Sequence, residues 1–73
     1  MHPREVFASA IEHRAAVLIC VHNRPSEDPE PSQEDSRITE RIVEVGKLVG
    51  IPVFDHVIVG GDNYTSFADK GLL

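Results

Sequence analysis

Seventy-three residues suffice for one domain, and a chain this short buries only roughly 60% of its unfolded surface on folding, so its stability is marginal. Twelve acidic residues against seven basic ones give a formal net charge of −5. The basic residues are scattered rather than clustered, which argues against direct nucleic-acid binding. Cys20 is the single cysteine, so no internal disulfide forms, and a lone thiol fits a reducing compartment. The longest apolar run, Ala15 to Val21, is far below the ~20 residues that span a membrane, and no hydrophobic signal region opens the sequence. The expected setting is therefore the cytoplasm, away from membranes.

Along the chain, Pro3 to His13 predicts a short amphipathic helix, with Pro3 in the first turn and Val6, Phe7, Ala10 and Ile11 on one side. Ala15 to Val21 is a continuous apolar run with β-branched content, which predicts a strand buried on both faces. Asn23 to Pro31 holds three prolines and three acids and reads as a loop. Ser32 and Asp35 then have the spacing of a helix-capping box. Ile38, Ile42, Val45 and Val49 recur at helical intervals, and Gly50 supplies the stop. Pro52 to Val59 predicts a second strand, Gly60 to Asn63 a turn, and Thr65 to Leu72 a last helical turn, with a short terminal strand as the alternative for this end of the chain.

Strand, helix and strand at these separations predict a parallel βαβ crossover within an α/β fold. Ligands of such sheets bind beyond the carboxyl ends of the strands. That rule gathers His22, the proline-rich loop, Ser32 and Asp35 at one rim. Each also has a structural explanation. Ser32 and Asp35 cap a helix, His22 lies at a strand end, and Glu27, Asp28, Glu30 and Glu34 form a solvated acidic face. Glu30 and Glu34 could also offer adventitious metal contacts. Gly60-Gly61 is a turn and not a phosphate loop, because no helix with a following Lys-Ser or Lys-Thr appears.

The segment from His22 to Asp35, His-Asn-Arg-Pro-Ser-Glu-Asp-Pro-Glu-Pro-Ser-Gln-Glu-Asp, resembles the JAMM signature of the JAB/MPN metallohydrolases in its RadC-like form. The family pattern is His-x-His, seven residues, Ser, two residues, Asp. His2 to Phe7, Gly46 to Val53, Asp55-His56, Ser66-Phe67 and Gly71 to Leu73 resemble the same family, so the likeness covers essentially the whole chain. It implies residues 1–73 as a single, truncated JAB/MPN (cytidine-deaminase-like) domain, with a parallel βαβ core and flanking helices. It also implies zinc on His22 and Asp35, a transition-state role for Ser32, and peptide or isopeptide hydrolysis. The family's traditional association is with DNA repair. Asp55-His56 resembles a dipeptide used away from the metal, which implies a structural hydrogen bond there.

Three departures from the pattern argue for an inactive remnant or interaction module. Arg24 occupies the second histidine's place. A guanidinium has no lone pair to offer and stays charged at any ordinary pH. Held about 4 Å from a dication it is repelled by roughly 8 kcal/mol at an effective dielectric near 20. No cofactor is therefore expected at full occupancy, and zinc only if the degenerate site still takes it. The resemblance places the family's general-base glutamate on a strand expected ahead of Met1, outside this sequence, and Glu27 stands where the family has a glycine in the loop. Arg24 is expected to pair with Asp35 in the metal's stead. The resemblance implies further strands beyond this sheet, so a sheet edge is expected here that a second copy or a partner protein covers.

Overall fold

The computed structural model describes residues 2–26 and 28–73; the expectations for Met1 and Glu27 lie outside them. The order is α1 (Pro3–Glu12), β1 (Leu18–Asn23), α2 (Gln33–Val49), β2 (Val53–Gly60) and β3 (Asn63–Ser66). In α1 the His2 ring accepts the Arg4 N–H at 3.1 Å, Pro3 occupies the first turn, and Phe7 and Ala10 are buried. In α2 the predicted capping box is complete, with Ser32 and Asp35 bonding each other's backbone N–H. Gly50 ends the helix in the left-handed region at φ 79°, where its N–H reaches the Gly46 carbonyl.

The buried residues of α2 are Asp35, Thr39, Ile42 and Gly46, while Val49, placed on the core stripe by its spacing, is 44% exposed. Gly46 explains the shift. A Cβ there would lie 2.5 Å from the Ile51 carbonyl oxygen, so only glycine lets the chain turn back this closely onto its own helix. Phe7, Ala10, Cys20, Ile42 and Ile51 form the core beneath the helices, and Ile58 and Phe67 are also fully buried. Burying a side chain such as Ile42 contributes about 1.5–3 kcal/mol.

The sheet order is β1-β2-β3. β1 and β2 run parallel, with Cys20 opposite His56 and His22 opposite Ile58, and α2 makes the expected crossover. β2 and β3 form an antiparallel hairpin around Gly61-Asp62, with Gly61 at φ 58° in the position that a II′ turn reserves for glycine. Two expectations change. Residues 65 and 66 belong to β3, and the helical turn shrinks to hydrogen-bonded turns over residues 67–71. β1 begins at Leu18, not Ala15, and is covered on one face only: Cys20 is buried whereas Ile19 and Val21 are 57% and 63% exposed. Tyr64 of β3, opposite Val59, extends this open apolar face.

Candidate functional site

The carboxyl end of β1 and the first turn of α2 meet in a cleft of about 260 Å³ lined by His22, Arg24, Ser32, Glu34, Asp35, Ile38 and His56. The sequence motif thus converges in space. Alternation along β1 turns His22, two residues after buried Cys20, to the helix side. Just beyond the strand, the Arg24 N–H bonds the Val59 carbonyl at 2.8 Å, which carries the strand pairing one residue further and aims its side chain at α2.

Asp35 is the centre of the cleft, with a side chain only 8% exposed. Its Oδ2 accepts the Ser32 backbone N–H at 2.8 Å and a guanidinium N–H of Arg24. A second guanidinium nitrogen of Arg24 donates to the Glu30 carbonyl at 2.7 Å, so the loop and the helix share one cation. The expected Arg24–Asp35 pair is present. Burial alone would raise the Asp35 carboxyl; the Ser32 backbone bond, the bonds from Arg24 and the Ser32 side chain, and the guanidinium charge outweigh it and hold the group below its ordinary value. His22 Nδ1 stands 3.8 Å from Asp35 Oδ1, beyond hydrogen-bond reach. The Ser32 hydroxyl accepts the Asp35 N–H at 3.1 Å, so its capping role is visible in the geometry. Glu34 lines the cleft, while the Glu30 carboxylate turns to Lys70 at 3.8 Å.

The dipeptide Asp55-His56 divides into two tasks. Asp55 is structural as expected: it accepts from Ser66 Oγ at 2.5 Å, the His56 N–H at 2.7 Å and the Ala68 N–H at 2.9 Å, tying β2 to the segment after β3. Burial would raise this carboxyl too, and those bonds bring it below its ordinary value. His56 also makes a structural hydrogen bond, between Nδ1 and Thr39 Oγ1 at 2.5 Å. It nevertheless reaches the cleft, because the β1–β2 register sets it beside β1. Its ring lies between Phe67, with centroids 4.9 Å apart, and His22, at 6.5 Å. Burial lowers its pKa and outweighs the neighbouring carboxylates. Sequence reasoning set His56 apart from the site because no local spacing links it to His22; only the parallel register does.

The zinc that the sequence resemblance implies is a poor fit to these residues. One Asp35 oxygen is engaged by a fixed cation and a backbone N–H, and Arg24 brings a positive charge to the place where an imidazole lone pair is needed. Among the described residues, no three His, Cys, Asp or Glu side chains are grouped to hold a metal ion, and no helix is long and apolar enough to cross a membrane.

The model of the RadC-like JAB domain matches residues 1–72. Similar curated relatives include UPF0758 proteins of Syntrophomonas wolfei (55% identical), Protochlamydia amoebophila (55%) and Halalkalibacterium halodurans (53%), each aligned over all 73 residues of this chain. The alignment covers 31%, 32% and 32% of their respective lengths, so the chain spans about a third of the curated relatives it matches.

Proposed function

The chain belongs to the RadC-like JAB domain family, and from that premise we propose that it is a member without hydrolytic activity, serving as an interaction module. One observation carries the reading: Arg24 is bound to Asp35. A metal at Asp35 must displace a guanidinium that also holds the Glu30 carbonyl, and must tolerate that charge close by. The internal cation does the metal's structural work of neutralising a mostly buried carboxylate and joining β1 to α2, and it supplies no Lewis acid. The test is zinc content after purification without chelator. Wild-type protein should carry well under one zinc per chain, and Arg24→His should gain zinc at least tenfold. Stoichiometric zinc in the wild type together with turnover of a peptide or isopeptide substrate would overturn the reading.

A second reading, a zinc-dependent peptide or isopeptide hydrolase, is favoured by the convergence of His22, Ser32 and Asp35 on one cleft. It requires Arg24 to swing away, and the same zinc determination separates the two. For the interaction role, the open face of Ile19, Val21 and Tyr64 is the surface a second copy or partner protein would cover. Parallel strand pairs are ordinarily buried on both faces, which supports this. A cytoplasmic location without direct nucleic-acid contact completes the proposal; the net charge of −5 supports the second part.

A further inference from the structure

The cleft contains a buried acceptor that the capping box and the Arg24–Asp35 pair leave unused. His56 is 2% exposed, and its Nε2 is buried with no hydrogen-bond partner among the described residues. The other ring nitrogen determines what Nε2 is. Thr39 Oγ1 lies 2.7 Å from the Asp35 carbonyl oxygen and 2.5 Å from His56 Nδ1. A hydroxyl has one proton. Both contacts are hydrogen bonds only if that proton goes to the carbonyl and Nδ1–H donates to the hydroxyl oxygen. In the neutral imidazole Nε2 then carries a bare lone pair on the ring edge away from Thr39. Leaving such an atom buried and unpaired costs on the order of 1–3 kcal/mol, so a donor that reaches it is bound with advantage.

Asp35, which lines the same cleft, offers a second acceptor. Both short contacts to the Asp35 carboxylate fall on Oδ2, while Oδ1 takes no hydrogen bond from the described residues and has only His22 Nδ1 at 3.8 Å. Of the charged groups lining the cleft, Arg24 balances Asp35 and leaves Glu34 in excess, while Ile38 forms an apolar wall. Two free acceptors, one surplus negative charge and an aliphatic wall suit a cation that donates several hydrogen bonds from the end of an alkyl chain. We propose that the cleft binds a primary ammonium group, with His56 Nε2 and Asp35 Oδ1 as its acceptors. This deepens the interaction-module reading and rests on it, since a metal on Asp35 would take the same oxygen.

The experiment is an NMR titration of the 73-residue chain in EDTA, reading the imidazole nitrogens and ring protons of His56 and His22. Because EDTA is present, its outcome is independent of the zinc determination, which alone decides the reading it rests on. The free protein should show His56 protonated on Nδ1. n-Butylammonium chloride should give saturable shifts and bind at least fivefold more tightly than tetramethylammonium chloride, which has the charge and no N–H. His56→Phe should abolish saturation. Should that variant fail to fold, Thr39→Val, which removes the group that fixes the tautomer, should weaken binding at least threefold. Nα-acetyl-lysine N-methylamide and alanine N-methylamide identify the source, a side-chain or a chain-terminal ammonium. Equal response to both cations, absence of saturation, or a proton on Nε2 in the free protein overturns the proposal.

Discussion

If Arg24 stands in for a cation, its removal should be felt as the loss of a partly buried charge pair and not as a surface change. The Arg24 side chain is 20% exposed and that of Asp35 8%. Breaking one partner of a fully buried pair costs about 3–5 kcal/mol, and a hydrogen bond to a charged group about 1.5–3. Asp35 keeps its Ser32 backbone bond, which places Arg24→Ala near the lower range, about 2 kcal/mol. For a domain of this size that is roughly 8–16 °C in Tm. Urea denaturation in EDTA gives the free energy, and a double-mutant cycle with Asp35→Asn isolates the pair, whose coupling should be about 1–2 kcal/mol. A coupling below about 0.5 kcal/mol, the range of solvated surface pairs, would show that Arg24 is an ordinary rim side chain and that the substitution for metal is an accident of geometry.

Other perturbations probe the frame around the site. Gly46→Ala gains about 1 kcal/mol of helix propensity, yet its methyl would meet the Ile51 carbonyl oxygen at 2.5 Å; overpacking of about 1–3 kcal/mol should win, and a raised Tm would contradict that. Asp55 has a folded pKa below its ordinary value near 3.9, so its stabilisation is complete above that value and fades as pH falls below it. Asp55→Asn should be less stable at pH 7 and should lose part of the acid-induced decline below about pH 4; a parallel pH–stability curve would refute the assignment. Val21→Lys on the open sheet face should leave the monomer fold intact and abolish any self-association seen by sedimentation at high micromolar concentration. Persistence of the assembly would move the interface elsewhere.

The parts of this structure that were legible in the sequence are those governed by neighbours in the chain. Ser32 and Asp35 cap each other because they are three residues apart, and the βαβ crossover follows from apolar runs flanking one long amphipathic segment. The Arg24–Asp35 pair was also readable, since it joins the end of a strand to the first turn of the helix that follows. β3 was legible only as one of two options for the chain end, because Asn63-Tyr64-Thr65-Ser66 is short and polar, and its pairing depends on the tight turn at Gly61. Nor was the open face of β1 visible: Leu18, Cys20, Ile19 and Val21 are all apolar, so alternation cannot show which side is covered. His56 eluded the site assignment for a third reason. Its distance from His22 is set by strand register, which is a property of two strands and not of either one.

Replacing a bound ion by a side chain changes how the site responds to its surroundings. A metal contributes RT ln(1 + [L]/Kd) to folding, so the stability of a loaded site depends on the free ion and on chelators. A guanidinium attached through the backbone is present whenever the chain is, and its charge does not titrate in the range where histidine does. Asp35 is tied by Arg24 to the end of β1 and by Ser32 to its own helix, and neither tie needs a free ion. Among the described residues, one Asp35 oxygen and His56 Nε2 have no donor. If the proposed reading holds, an arginine in this position fixes the frame while leaving acceptors free beside it, a combination that suits recognition better than hydrolysis.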